Sequence, residues 1–306
     1  MKELPLLKLV SEIFTNDHNL LIGPGDDCAA IKLNPEDDSL LLLAVDQLNP
    51  GVHYIQETAS PKKIAEKLLK RNLSDIAAMG GNPSYALASL SFKQDTKQEF
   101  CVNLLKALAE SAKVYDICVC GGDISKSLFS DCFSLTIVGN VTEAKIATRS
   151  GARDSDALFC TGLFGKSFET EHHFTFIPRL KEGAFLAGSF TKTMIDVSDG
   201  LLLDASRIAK KSKIGLKLFC DKIPLRANAS LKNALTDGED YELLFAVPLE
   251  KAHELEKIWT FSTPLTKIGV FSSNIPAGDV INEQGDALLN SNYCIYPLAG
   301  YEHHSP

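Results

Sequence analysis

TMIDVSDGLLLDASRIAKKSKIGLKLFC, residues 193–220, reads as a strand, a turn, a helix and a second strand in succession. TMIDVSDG is a short apolar strand running into a turn of two aspartates, a serine and a glycine. LLLDASRIAKKS has helical character, and GLKLFC returns to a strand. A strand feeding a helix through a short polar turn is the repeating unit of α/β proteins.

The same alternation extends outward. DALFCTG reads as a strand and PRLKEGAFLAGSF as a helix before it; EDYELLFAVP as a strand and LEKAHELEKIW as a helix follow it. In the first half, SLLLLAVD (39–46) is a strand. Ser60 caps a helix whose first turn accepts Pro61, and Ile64, Leu68, Leu69, Leu73 and Ile76 line one face until Gly80, Gly81 and Pro83 end it. SYALASLSF is a further strand and TKQEFCVNLLKALAESAKVYD an amphipathic helix. ICVCGGD reads as a short strand ending in a glycine turn with Asp123 at its tip, and FSLTIVGNV closes this half. Residues 141–153 are polar and lack periodicity, which puts a domain boundary there: residues 1–145 and 146–306, each α/β or α+β.

Composition restricts the function. Of 306 residues 45% are apolar and 23% charged, as in a globular enzyme. A formal net charge of −8, with no lysine/arginine-rich run, argues against nucleic acid or an anionic membrane as partner. The longest apolar runs are far below the roughly 20 residues a membrane span needs. The first residues do not read as a secretory signal, so a cytoplasmic location is expected. Eight cysteines read as buried thiols rather than a disulfide set, and Cys118–Cys120 lacks the second pair a zinc site requires.

Acidic turns recur: Asp26 and Asp27, Asp46, Asp123, and Asp196 with Asp199, joined by Asp75 from the end of its helix. Each alone is explained as well by a turn or cap. As a group they repel, since two such charges about 4 Å apart cost roughly 4 kcal/mol at an effective dielectric near 20. Divalent cations relieve this, and all-oxygen ligation suits Mg²⁺, which shares its shell with substrate phosphates. The known alternatives fail. GLFGKS (162–167) has Cys160 where a P-loop needs glycine, and GPGDDC has Cys28 in place of the third glycine of a dinucleotide fingerprint. Arg207 stands where an EF-hand needs glutamate. There is no nucleophile elbow and no zinc-protease helix. His53 follows the Asp46 turn and fits a substrate contact and an ordinary loop histidine equally well, His172 and His173 receive no role, and Glu239 and Asp240 fit a turn before a strand equally well.

In order, GPGDDCA, VDQLNPGVHY, NLSDIAAMGGNP, GGDIS, IDVSDGLLLD, GEDYELLF and GYEHH resemble the thiamine-monophosphate kinase family, over nearly the whole chain. NLSDIAAMG and DVSDGL are shared with the wider aminoimidazole-ribotide-synthetase-like superfamily. The resemblance implies a two-domain α/β protein that dimerises through its N-terminal sheets and phosphorylates thiamine monophosphate with ATP in a cleft between domains. It implies Mg²⁺ ligands at Asp27, Asp46, Asp75, Asp123, Asp196 and Asp199, ATP contacts at Gly122, Asp123, Arg149 and Ser198, and substrate contacts at His53, Glu239 and Tyr301. The acceptor is already an ionised phosphate, so no protein nucleophile is expected.

The chain departs from the family in places. The serine or threonine usual before the second aspartate is replaced by Ala44-Val45, GGD is followed by Ile124, Ser125 and Lys126, and GKSFETEHHFTFIPRL is unlike its counterpart. The competing readings are another ATP-dependent enzyme of the superfamily, acting on a different phosphorylated metabolite, and a non-catalytic Mg-nucleotide-binding protein.

Overall fold

The computed structural model describes residues 19–289, together with Val10 and Ile13. Among them are two compact units, one of residues up to Ile76 with Gly81–Glu143, the other of Ala77–Gly80 with residues from Ala144 onward. The two-sheet α/β architecture is the one expected. No helix among the described residues is long and apolar enough to cross a membrane.

The first unit is built on a six-stranded sheet in the order β1-β2-β3-β6-β4-β5. Its strands are β1 (Leu20–Ile22), β2 (Ala29–Ile31), β3 (Ser39–Leu48), β4 (Asn82–Lys93), β5 (Cys118–Ser127) and β6 (Cys132–Thr142). Helices α1 (Pro61–Ala78) and α2 (Gln98–Val114) supply the apolar cover. The expected helical stripe is buried without exception: Ile64, Leu68, Leu69, Leu73 and Ile76. The Ser60 hydroxyl accepts the Lys63 N–H at 3.3 Å, the predicted cap.

Two expectations are corrected in this unit. GGD is not a turn: β5 continues through Gly122 and Asp123 to Ser127, pairing parallel with β4 in the register Ala88↔Gly122 and Ser89↔Asp123. Glycines that read as turn residues here let two backbones approach. A Cβ on Gly122 would stand 1.9 Å from the Ala88 carbonyl oxygen. The cysteines are also not uniformly buried: Cys28 and Cys160 are, but Cys118 and Cys120 are exposed on the edge strand β5.

The second unit carries a seven-stranded sheet in the order β13-β12-β9-β11-β7-β10-β8. Its strands are β7 (Ala157–Thr161), β8 (Thr193–Asp196), β9 (Gly215–Leu218), β10 (Leu243–Val247), β11 (Leu265–Ser272), β12 (Val280–Ile281) and β13 (Ala287–Leu289). β7 and β10 are buried along their whole length, which accounts for their unbroken apolar sequences. Helix α3 is Leu201–Ser212, the helix of the decisive unit, and Leu201, Leu202, Ala205, Ile208 and Ala209 press it into the core with Leu216, Leu218, Leu244 and Phe271.

Candidate functional site

In the first unit the β1–β2 turn and the last turns of α1 bring two carboxylates together. One oxygen of Asp27 and one of Asp75 lie within 4.8 Å of each other, and Asp27 is buried. Two carboxylates this close repel each other unless a proton or a cation stands with them. Hard oxygen donors on a turn and a helix form a donor set that fits Mg²⁺.

Asp46 is differently employed. Arg71 Nε donates to Asp46 Oδ2 at 2.8 Å, Arg71 Nη1 donates to the Gln47 carbonyl at 2.8 Å, and the Asp46 N–H donates to Asn72 Oδ1 at 3.1 Å. Arg71 and Asn72 carried no weight in the sequence; the signal was their place on the face of α1 that runs to Asp75, four residues beyond Arg71. Gly122 and Asp123 border a cavity of about 240 Å³ whose other walls include Leu90, Leu105, Leu108 and Ile124. Asp123 itself is exposed.

His53 is buried in the loop between β3 and α1. Its Nδ1 accepts the Asn49 N–H at 2.9 Å, and its carbonyl accepts from the buried Lys67 Nζ at 2.6 Å. Acceptance at Nδ1 fixes the neutral tautomer with the proton on Nε2.

In the second unit Asp196 ends β8, buried, and the chain turns through Val197, Ser198 and Asp199 into α3. The Val197 and Tyr241 amides and the Glu239 amide tie this turn to residues 239–242: Val197 N–H donates to the Glu242 carbonyl at 2.8 Å, Tyr241 N–H to Val197 at 2.8 Å, and Glu239 N–H to Ser198 at 2.7 Å. Arg207, one turn along α3 from Asp204, bridges Asp199 and Asp204 with contacts of 2.5 Å each. Asp204 also accepts the Asp199 N–H at 3.1 Å. Burial pushes the Asp204 carboxyl up to about 6, against the pull of Arg207. Arg149 is close enough to act on both Asp204 and Arg207 electrostatically. Asp204 escaped the sequence reading because one acid in an amphipathic helix looks solvated; here it is fully buried.

Glu239 sits in left-handed backbone, φ 54°, as does Tyr241, φ 52°. The Tyr241 hydroxyl donates to Glu239 Oε1 at 3.4 Å, and His173 Nδ1 lies 3.6 Å from Glu239 Oε2. The His173 ring stacks on Phe168 at 4.2 Å and Phe176 stacks on Tyr241 at 4.1 Å. His172 takes a separate partner, donating to the Asp240 carbonyl at 3.1 Å. SFETEHHFTF thus forms an aromatic wall beside Glu239, where the sequence showed only a divergent loop. The GLFGKS segment is not a phosphate cradle, because its amides are spent: Gly165 N–H on Asp240 at 3.1 Å and Lys166 N–H on Asp237 at 2.8 Å. Tyr301 lies outside the described residues.

Residues 25–141 match the AIR synthase related protein, N-terminal domain, so the first unit is of that class. The chain is 35% identical over 303 residues to the thiamine-monophosphate kinase of Leptospira interrogans, covering 90% of this chain and 92% of that one. It is 30% identical over 283 residues to the thiamine-monophosphate kinase of Escherichia coli K12, covering 83% and 85%. The structure of AaThiL complexed with AMPPCP and TMP is 26% identical and superposes with a TM-score of 0.82 over 99% of this chain and 97% of that one. The chain belongs to the thiamine-monophosphate kinase family.

Proposed function

We propose that this chain transfers the γ-phosphoryl group of ATP to thiamine monophosphate. A phosphate oxygen of thiamine monophosphate bonds to the γ-phosphorus as the bond to the bridging β–γ oxygen breaks, giving thiamine diphosphate and ADP. The observation that carries this reading is the Asp27–Asp75 carboxylate pair in a chain of this family. Asp27, Asp75, Asp123, Asp196 and Asp199 are the proposed Mg²⁺ ligands, Asp199 through the oxygen that Arg207 does not hold. Bound Mg²⁺ supplies charge neutralisation for the phosphates of two anionic substrates on an acidic protein.

The chain's own part is alignment and exclusion of water. Gly122 and Asp123 stand at the mouth of an apolar cavity suited to the flat face of a purine, and Arg149 and Ser198 are the further proposed nucleotide contacts. His53, buried in the loop after β3, is a proposed substrate contact. Glu239, backed by the aromatic wall of Phe168, His173 and Tyr241, offers an anion to the cationic thiazolium ring, and Tyr301 is the third proposed substrate contact.

We place the reaction in the cytoplasm, in keeping with described cysteines that are thiols. We propose a homodimer formed through the sheet of the first unit. Its β3 run LLLLAV buries Leu40, Leu42 and Ala44 under the helices, while Leu41, Leu43 and Val45 alternate onto the opposite face. There Leu43 faces Val138 and Tyr85 across the strands, and Val45 faces Thr136 and Leu87.

The test is direct. Purified chain with Mg-ATP and thiamine monophosphate yields thiamine diphosphate and ADP in equal amounts, and Asp75→Asn lowers turnover at least about a hundredfold while the chain stays folded. A folded wild type without product, across metals and pH, overturns the reading.

A further inference from the structure

The proposal that follows rests on that reading of the site and concerns Asp46. An aspartate that ligates an ion needs its carboxylate turned toward it and no stronger cationic partner in the way. Asp46 fails the second condition, because Arg71 Nε holds its Oδ2 at 2.8 Å. The contact is not a surface coincidence. The arginine side chain is only 11% exposed, its Nη1 is anchored to the Gln47 carbonyl at 2.8 Å, and Asn72 fixes the Asp46 backbone from the next position on α1. Three bonds therefore dock the end of β3 on α1 through this one guanidinium and its neighbour.

Arg71 stands four residues before Asp75, so the two side chains share a face of α1. The guanidinium thereby places a permanent positive charge near the Asp27–Asp75 pair. The residues just before Asp46 offer nothing that would favour an ion: Ala44 and Val45 have no side-chain oxygen, and Val45 points to the opposite face of the sheet. Asp199, another aspartate that meets an arginine, differs in that Arg207 divides its donors between Asp199 and Asp204.

We propose that Arg71 takes the place of a divalent ion at Asp46. Asp46 is then not a ligand but a positioning residue that holds a fixed cation beside the metal-binding carboxylates. A guanidinium so held is a positive charge fixed by the fold and not recruited from solution.

The experiment counts Mn²⁺ bound per chain by electron paramagnetic resonance, with a non-hydrolysable ATP analogue present, on the full-length protein. Asp46→Asn is expected to keep the wild-type number, Asp75→Asn to lose at least one ion, and Arg71→Met, which releases the Asp46 carboxylate, to gain one. Loss of an ion in Asp46→Asn, or an unchanged number in Arg71→Met, overturns the proposal while leaving the kinase reading in place. A wild type that binds no Mn²⁺ with the analogue and makes no thiamine diphosphate overturns both.

Discussion

Arg179 lays one edge of its guanidinium along Glu242, Nε on Oε2 at 2.7 Å and Nη2 on Oε1 at 2.5 Å. Glu242 is almost wholly buried and also accepts the Thr161 hydroxyl at 2.7 Å, while Arg179 Nη1 reaches Thr263, whose hydroxyl donates to Glu182. The carboxylate is packed so tightly against β7 that a Cβ on Gly162 would stand 2.1 Å from it. Removing one partner of such a pair leaves a desolvated charge, at about 3–5 kcal/mol. Arg179→Met is therefore expected to lower the unfolding free energy by about that much in urea. A loss below about 1 kcal/mol would mean that the pair is solvated in solution, like a surface salt bridge.

Gly122 tests how the edge strand serves the nucleotide. Its φ of 153° and the 1.9 Å approach to the Ala88 carbonyl leave no room for a side chain. Gly122→Ala is expected to push β5 away from β4, widen the cavity beside Asp123, and weaken binding of an ATP analogue by about tenfold or more, roughly 1.4 kcal/mol. Calorimetric titration of the folded variant measures it. Unchanged affinity would move the base elsewhere.

The alternation of strands and helices was legible because both periods were strong, and α1 carried its own start and stop signals. What was not legible depended on tertiary partners. GGD reads as a turn when glycines are taken for flexibility, whereas close strand approach was the cause. Asp46 and Asp199 look equivalent in sequence, and only the fold reveals which arginine each meets and what else that arginine touches. The aromatic wall beside Glu239 was hidden for a related reason. SFETEHHFTF has no regular period, and its rings are gathered by contacts with Tyr241 and Glu239, which lie dozens of residues away.

Asp240 gives the protein a pH dependence with a definite sign. It is fully buried, receives Arg226 Nη1 at 2.8 Å and the Gly165 amide at 3.1 Å, and burial pushes its carboxyl up to about 7 against the pull of Arg226. In the unfolded chain an aspartate titrates near about 3.9. Between those values the folded state holds the proton that the unfolded state has lost. The contribution to stability is thus fully present below about pH 4, falls as pH rises toward about 7, and is level above. Denaturation of wild type and Asp240→Asn over pH 4–8 should show the wild type losing ground to the variant as pH rises through this window. A wild type that gains ground over it would mean the carboxyl stays ionised in the fold.

The outer face of the first sheet makes the last prediction. Val45, Tyr85 and Leu87 are 63%, 53% and 44% exposed in the single chain, and they lie in adjacent cross-strand rows with Leu43, Thr136 and Val138. A strand as apolar as LLLLAV on both faces is the pattern of a sheet covered on both sides, yet the helices cover one. The row registers place the apolar side chains in one patch, and a self-complementary patch of this kind closes on a two-fold axis. Leu87→Lys puts a charge at its centre, where pairing would set two such charges against each other. Sedimentation should find the wild type dimeric and Leu87→Lys shifted to monomer at micromolar concentration, with the far-UV circular dichroism unchanged. Val114→Lys, on α2 away from the sheet's outer face and 77% exposed, is the control and is expected to stay dimeric. A monomeric wild type, or a Leu87→Lys variant as dimeric as the control, would show that something other than a second copy covers this face.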